Sequence, residues 1–283
     1  MRIYIVIPAY NEAQFIGHTL KSLAAQTLLP EKLVVVDDGS TDDTAQVVKN
    51  YAEKYSFISL ISKSPEHNIH APGSKVIKAF NQGYNNLDED YDIICKFDGD
   101  LIFPADYLEK IAVHFQSNPQ AGMAGGFCTI EKDGSWKIEN LTGKDHIRGA
   151  LKAYRKPCFI DIGKLPEAMG WDTADELLAQ FHGWQVLTDP QLLVKHLKPT
   201  GSGYSNKSGN RQGDAFYKLR YGLVLSYIAS AKLAFQKRDF KLFREYLKGY
   251  HLAAKQKQAF LVSEEEGRFI RNLRWQKIFQ KIF

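Results

Sequence analysis

The feature that most limits how this chain can fold is an alternation. Short β-branched runs are followed by stretches of helical spacing, again and again over the first 130 residues. Residues 2–8, 32–36, 58–62, 91–97 and 123–131 read as strands. Residues 12–26, 41–55, 73–86 and 106–115 read as the helices between them. Strands alternating with helices predict an α/β protein with a mostly parallel sheet flanked by helices. Such sheets bind ligands beyond the carboxyl ends of their strands. Two acidic turns stand at those ends, Val36-Asp37-Asp38-Gly39-Ser40 and Phe97-Asp98-Gly99-Asp100. Ser40 reads as the N-cap of the second helix, with Asp43 as its capping-box partner and Asp42 in the first turn. No internal repeat is visible.

Length and composition fit this reading. A chain of 283 residues with 44% hydrophobic and 24% charged residues has ample material for a core, which excludes disordered, collagen-like and coiled-coil classes. Cys95, Cys128 and Cys158 have neither metal-ligand spacing nor the even count of a disulfide framework. The apolar run Ile3–Ile7 leads straight into Pro8, Asn11 and Glu12, unlike a signal peptide. No run of 18 apolar residues exists, and the longest candidate, 222–231, stops at Lys232. The expected location is cytoplasmic, peripheral on the inner face of the cell membrane.

Charge is unevenly spread. Residues 1–203 carry 20 Lys+Arg against 26 Asp+Glu, a net of −6, and residues 204–283 carry 17 against 6, a net of +11. The break coincides with the Gly/Ser/Asn-rich stretch from Pro199 to Asn210. The expected organisation is a domain over 1–200, a flexible linker over 201–212 and a basic helical segment over 213–283. Within that segment, residues 213–235, 239–258 and 264–282 have helical composition.

Each acidic turn has two readings. A carboxylate at the mouth of a buried strand can accept hydrogen bonds from a base or ribose hydroxyls; equally, Asp37 and Asp38 suit capping of the next helix. Asp98 and Asp100 flank a glycine and can turn to one point, which suits a hard divalent cation holding a diphosphate. Solvated loops also contain such triplets.

Together the motifs resemble the family 2 glycosyltransferases of the GT-A fold. Pro8-Ala9-Tyr10-Asn11-Glu12 after the first strand, Val36-Asp37-Asp38-Gly39-Ser40-Thr41-Asp42, and Asp98-Gly99-Asp100 about 60 residues later carry the likeness, which covers roughly residues 1–200. The resemblance implies that Pro8, Ala9, Tyr10, Glu12 and Asp38 hold the nucleoside. It further implies that Asp98 and Asp100 hold a divalent metal, Mn2+ or Mg2+, on the diphosphate of a sugar nucleotide. Lys75 carries over as a further donor contact, although His67, His70 and Pro72 depart from the family pattern nearby. The family's catalytic carboxylate maps onto Gly170-Trp171-Asp172-Thr173-Ala174-Asp175-Glu176, before His182-Gly183-Trp184. Counting back 11 residues from Gly183 selects Asp172 as general base, with Asp175 as its rival. Placement of all three acids by the helix dipole is the plainer alternative. In related enzymes a His near the position of His196 completes the metal or diphosphate site, whereas a strand-end His is often structural. Arg211 suits phosphate oxygens through its planar fork, or is a solvated arginine.

The expected function is inverting transfer of a sugar from a nucleoside-diphosphate sugar to a hydroxyl of a glycan or lipid-linked acceptor, as in polysaccharide or cell-envelope biosynthesis. Uridine diphosphate is the default base by family frequency. The acceptor is expected to meet residues 130–170, where Trp136, Arg148, Tyr154 and Arg155 offer stacking and hydrogen bonds. One competing function is a non-catalytic sugar-nucleotide-binding or scaffold protein. Another is a nucleotidyltransferase, which the absence of a Gly-rich basic loop at Ala9–Glu12 opposes. The basic segment reads as helices packed on the body with peripheral contact to an anionic membrane. Arg271, Arg274, Lys277 and Lys281 alternate there with Phe269, Ile270, Trp275, Ile278 and Phe279. No recognition motif supports nucleic acid as a partner.

Overall fold

The computed structural model describes residues 1–63, 74–139, 143–198 and 208–282. In chain order the elements are β1 (Ile3–Ala9), α1 (Ile16–Ala24), β2 (Lys32–Asp37), α2 (Thr44–Lys54), β3 (Ile58–Ser62), α3 (Ser74–Asn85) and β4 (Ile93–Phe97). There follow β5 (Leu101–Ile102), α4 (Tyr107–Ser117), β6 (Ala121–Lys132), β7 (Ser135–Ile138), β8 (Leu151–Arg155), α5 (Lys156–Asp161), α6 (Trp171–Phe181) and β9 (Gln185–His196). The last helices are α7 (Ser208–Lys218), α8 (Gly222–Gln236), α9 (Phe240–Lys255) and α10 (Glu264–Ile282).

Two compact units form, Met1–Glu167 with His182–Thr200, and Ala168–Phe181 with Gly201–Phe283. The first is built on one sheet of order β3-β2-β1-β4-β8-β6-β9-β5, with β7 on β6. Strands β3, β2, β1 and β4 are mutually parallel, as the alternation predicts. Strand β8 runs antiparallel to β4, and β6 antiparallel to β8. Every residue of β1 and β4 is buried, and all but Lys96 are apolar or aromatic, as strands covered on both faces favour. Each fully buried Ile or Phe among them contributes roughly 1.5–3 kcal/mol of transfer free energy.

Side chains of β1 alternate between two helical layers. Val6 faces α3, where a Cβ on Gly83 would lie 2.6 Å from Val6 Cγ1 and 2.7 Å from Val36 Cγ2. Only glycine lets α3 lie this close to the sheet. Phe80 and Tyr84 of α3 meet Phe159 of α5 at 6.1 and 5.2 Å between ring centroids, so these two helices share that layer. Ile7 points the other way, towards Ile16 of α1.

The second unit holds α6 to α10. The basic segment forms four helices, because the stretch read as one helix over 213–235 breaks after Lys218, with Arg220 at φ 53° and Gly222 at φ 74°. Of the linker expected over 201–212, residues 201–207 lie outside the described residues, and residues 208–212 open α7. The capping box at Ser40 does not form. Helix α2 starts at Thr44, while Ser40 Oγ accepts the Asn11 N–H at 2.9 Å. A bond across the two loops has displaced the local cap. No helix among the described residues is long and apolar enough to cross a membrane.

Candidate active site

The site follows from register. Parallel pairing sets Ala9 opposite Asp37, and β4 runs alongside with Val6 opposite Lys96. Strands β1, β2 and β4 therefore end at one edge of the sheet, and their loops carry the residues of interest there. The Asp38 N–H donates to Ala9 O at 2.9 Å, extending the pairing one residue past the strands.

Two of these loops are zipped together by side chains. Asn11 adopts φ 54°, and its Oδ1 accepts the Thr41 N–H at 2.8 Å. The Glu12 N–H donates to Thr44 Oγ1 at 2.8 Å, and the Ala13 N–H to Asp42 Oδ2 at 3.1 Å. Burial pushes the Asp42 carboxyl up, but bonds from Thr44 and Ala13 outweigh it and hold its pKa below the ordinary value. Asp37 is buried and accepts the Ser40 N–H at 3.0 Å, which fixes the turn at Gly39. Gly39 takes φ 78°, where a Cβ would clash. The pair thus divides, with Asp37 structural and Asp38 turned outward to Lys63 Nζ at 2.9 Å. Pro8 and Ala9 are buried, whereas the Tyr10 ring is 45% exposed.

The third loop is Asp98-Gly99-Asp100. Thr19 of α1 clamps it, donating to Gly99 O at 2.8 Å and accepting the Leu101 N–H at 2.9 Å. A Cβ on Gly99 would lie 3.7 Å from Glu12 Cγ, so this turn packs against the first loop. Asp98 is half-buried and paired with buried Lys96, which also donates to Gly149 O at 3.0 Å. Desolvation pushes the Asp98 carboxyl up, and the Lys96 ammonium outweighs it, leaving the pKa low. Asp100 is buried, with Oδ2 3.3 Å from His196 Nε2. His196 closes β9, opposite Leu101 of β5, and its Nδ1 lies 3.5 Å from Glu139 Oε2. Glu139 is in turn paired with Arg148. Burial pushes the His196 imidazole down, but Asp100, Asp98 and Glu139 outweigh it and hold its pKa above the ordinary value.

Two carboxylate oxygens at this end of the sheet, Asp100 Oδ1 and Glu12 Oε2, are buried and have no hydrogen-bond partner among the described residues. The other Glu12 oxygen accepts from Lys198 Nζ at 2.6 Å. Burial raises the Glu12 pKa, against the pull of Lys198 and with help from Asp100 and Asp98. Leaving a buried acceptor unpaired costs about 1–3 kcal/mol, more when it is charged.

All of these residues but His196 and Lys198 fall inside the match to a family model described as "Glycosyl transferase family 2", which spans residues 4–164. The chain belongs to glycosyl transferase family 2. It is 31% identical over 116 residues to a probable glycosyltransferase, YdaM, of Bacillus subtilis, covering 40% of this chain and 25% of that one. It is 23% identical over 189 residues to poly-beta-1,6-N-acetyl-D-glucosamine synthase of Staphylococcus aureus, covering 60% and 42%. This family 2 chain therefore spans less than half the length of either relative. A mannosyltransferase, PcManGT, of Pyrobaculum calidifontis, solved with GDP-Man and Mn2+, shares the fold at a TM-score of 0.58 and 17% identity, covering 98% of this chain and 80% of that one. S. aureus TarS 1-349, solved with UDP-GlcNAc, does so at 0.57 and 18%, covering 88% and 72%. These neighbours establish the GT-A architecture expected from the sequence.

Other expected site residues of this family 2 chain are distributed as follows. Among the described residues, no three His, Cys, Asp or Glu side chains form a metal cage by themselves. Lys75 is half-buried in the first turn of α3, while His67, His70 and Pro72 lie outside the described residues. Asp172 and Asp175 are on α6, in the second unit. Asp172 is half-buried, whereas Asp175 is fully buried, with Oδ1 accepting the Glu176 N–H at 2.7 Å. Arg211 lies on α7 and lines a small cavity with Asp214, Gly249 and Ala253.

Two expected acceptor contacts are overturned. Tyr154 is fully buried, its ring 5.3 Å from Phe159. Arg155 donates to the backbone carbonyls of Ala121, Phe115 and Asn118. Both serve the core where β8 meets β6. Trp136 of β7 remains accessible in part, with Lys195 Nζ 5.1 Å from its ring centroid. The sequence reading missed Lys63, Lys96, Lys198, Thr19 and Glu139. Of these, Lys63 carried a usable signal, since it immediately follows a strand of the parallel sheet.

Proposed function

We propose that this chain transfers a sugar from a nucleoside-diphosphate sugar to an acceptor hydroxyl, with inversion at the anomeric carbon. The observation that carries the reading is the end of the sheet to which β1, β2 and β4 bring Glu12, Asp38, Asp98 and Asp100, with two buried carboxylate oxygens that have no partner among the described residues. Tyr10 and Asp38 hold the nucleoside, Tyr10 by its exposed ring and Asp38 by accepting hydroxyl or base N–H groups. Pro8 and Ala9 shape the floor of that pocket with their backbone. Lys75 and Arg211 are assigned to the donor phosphates.

The donor set at the Asp98-Gly99-Asp100 turn fits a hard divalent cation, because Asp100 Oδ1 is buried and unpaired and such ions complete their shell with phosphate and water. Asp98, Asp100 and His196 would hold it, as Mn2+ or Mg2+. When bound, it would offset the negative charge gathering on the departing nucleoside diphosphate.

Asp172 acts as general base. It takes the proton of the acceptor hydroxyl as that oxygen forms its bond to the anomeric carbon, while the bond to the diphosphate oxygen breaks on the opposite face. One base and one direct displacement give inversion. A positioned carboxylate contributes typically ~10²–10⁴-fold to such a step. Asp175 is the poorer candidate, being fully buried. The acceptor is a glycan or a lipid-linked glycan.

The test is Asp172→Asn, with nucleoside diphosphate release measured across a panel of sugar nucleotides. Turnover should fall at least ~10²-fold while donor binding, read calorimetrically, is retained. Unaltered turnover would remove Asp172 from the mechanism. Absence of turnover in the unmutated chain with every donor and acceptor class, alongside intact donor binding, would favour a non-catalytic binding protein.

A further inference from the structure

The second unit displays a surface that packing does not explain. Helix α8 leaves Leu223, Val224, Tyr227, Ile228 and Phe235 between 38% and 73% exposed. At 100° per residue these side chains form one stripe along the helix, uninterrupted by charge. Its opposite side is buried through Leu225, Ser226 and Ser230. The tip of the α8–α9 hairpin adds Phe240, 73% exposed.

A second stripe runs beside the first. Lys241, Arg244, Lys248, His251 and Lys255 recur at three- and four-residue spacing along α9, and all are exposed. The two stripes meet where Tyr227 Oη lies 3.3 Å from His251 Nε2, with the rings edge to face. Lys237 and Arg238 extend the basic line around the tip. One face of the hairpin therefore carries an apolar ridge edged by cations.

We propose that this face docks on an anionic lipid surface. The apolar ridge would enter the boundary between headgroups and acyl chains, and the cations would lie at the level of the phosphates. Charge selects the occupant. A second copy of this chain would bring the same cations against these, whereas an anionic leaflet complements them. Helix α10, where the sequence places its membrane contact, lacks this arrangement. Ile270 is buried, Phe269 meets Phe181 at 5.6 Å, and Arg271 and Arg274 donate to Arg220 O and Tyr221 Oη.

The experiment is cosedimentation of the full chain with phosphatidylcholine vesicles, with and without phosphatidylglycerol. Binding should need the anionic lipid and should weaken as salt rises. Leu223→Ser with Val224→Ser and Ile228→Ser should weaken it at least tenfold, as should Arg244→Glu with Lys248→Glu. All these positions are on the surface, so thermal unfolding should match the parent. Lys21→Glu with Lys49→Glu, on exposed positions of α1 and α2, makes the same charge change elsewhere and should leave binding within twofold. Equal binding by the α8 and α9 variants would overturn the proposal. So would a dimer in sedimentation velocity that the serine variant abolishes, with no vesicle binding by the parent.

Discussion

At the residue scale, the site is marked by what its acids lack. Glu12 buries one oxygen against Lys198 and leaves the other unpaired beside Asp98 and Asp100. Its raised pKa has a definite consequence for stability. The folded chain holds the Glu12 proton more tightly than the unfolded chain does, so stability falls as pH rises through the ordinary value of 4.5 towards the folded-state value. Glu12→Gln removes that penalty. The variant should melt higher than the parent at pH 7, and the gain should vanish below the ordinary Glu value, in melting curves taken across the acid range. A variant that melts lower at pH 7 would show that the Lys198 pair outweighs the burial. Asp38, Asp98 and Asp100 were legible in the sequence because strand ends are where parallel sheets present polar groups. Their counter-ions were not. Lys96 reads as part of a strand, and only burial beside Asp98 makes it a partner. Lys198 lies 186 positions from Glu12, a separation no local pattern reaches.

At the element scale, the parallel half and β6, read over residues 123–131, were legible from their apolar runs, and β5, β7 and β8 were not. Strand β5 has two residues and β7 four, too few to show a period. Strand β8 is buried through Lys152, a residue that argues against a core strand until its place opposite Lys96 is seen. The second unit has its own tight element contact. Gly213 of α7 crosses α9 so closely that a Cβ would lie 1.7 Å from Tyr246 O. Backbone cannot yield there as a flexible side chain would, so the helices must separate. Gly213→Ala should destabilise the chain by about 1–3 kcal/mol, read as a lower denaturant midpoint at unchanged slope. Full stability in that variant would contradict the close crossing.

At the scale of the whole molecule, an acidic sheet unit is joined in sequence to a basic helical one. The first gathers carboxylates at one edge of the sheet, the proposed site for a cation and a diphosphate. The second presents a cationic, apolar face suited to a lipid surface. The charge split in the sequence already separated these halves, while the move of the apolar face from α10 to α8 needed the packing of each helix to be known. Family membership joins the first unit to enzymes that move sugars, and the proposed function requires its acidic edge to be a shared metal and diphosphate site.

The most direct measurement is thermal unfolding with nucleoside diphosphates, with and without Mn2+, for the parent and for Asp100→Asn. A ligand that binds only the folded chain raises its stability by mass action. The parent should gain a nucleotide-dependent rise in melting temperature that is larger with Mn2+ than without, and Asp100→Asn should lose the Mn2+-dependent part. The same rise in both proteins, or none in either, would contradict the site.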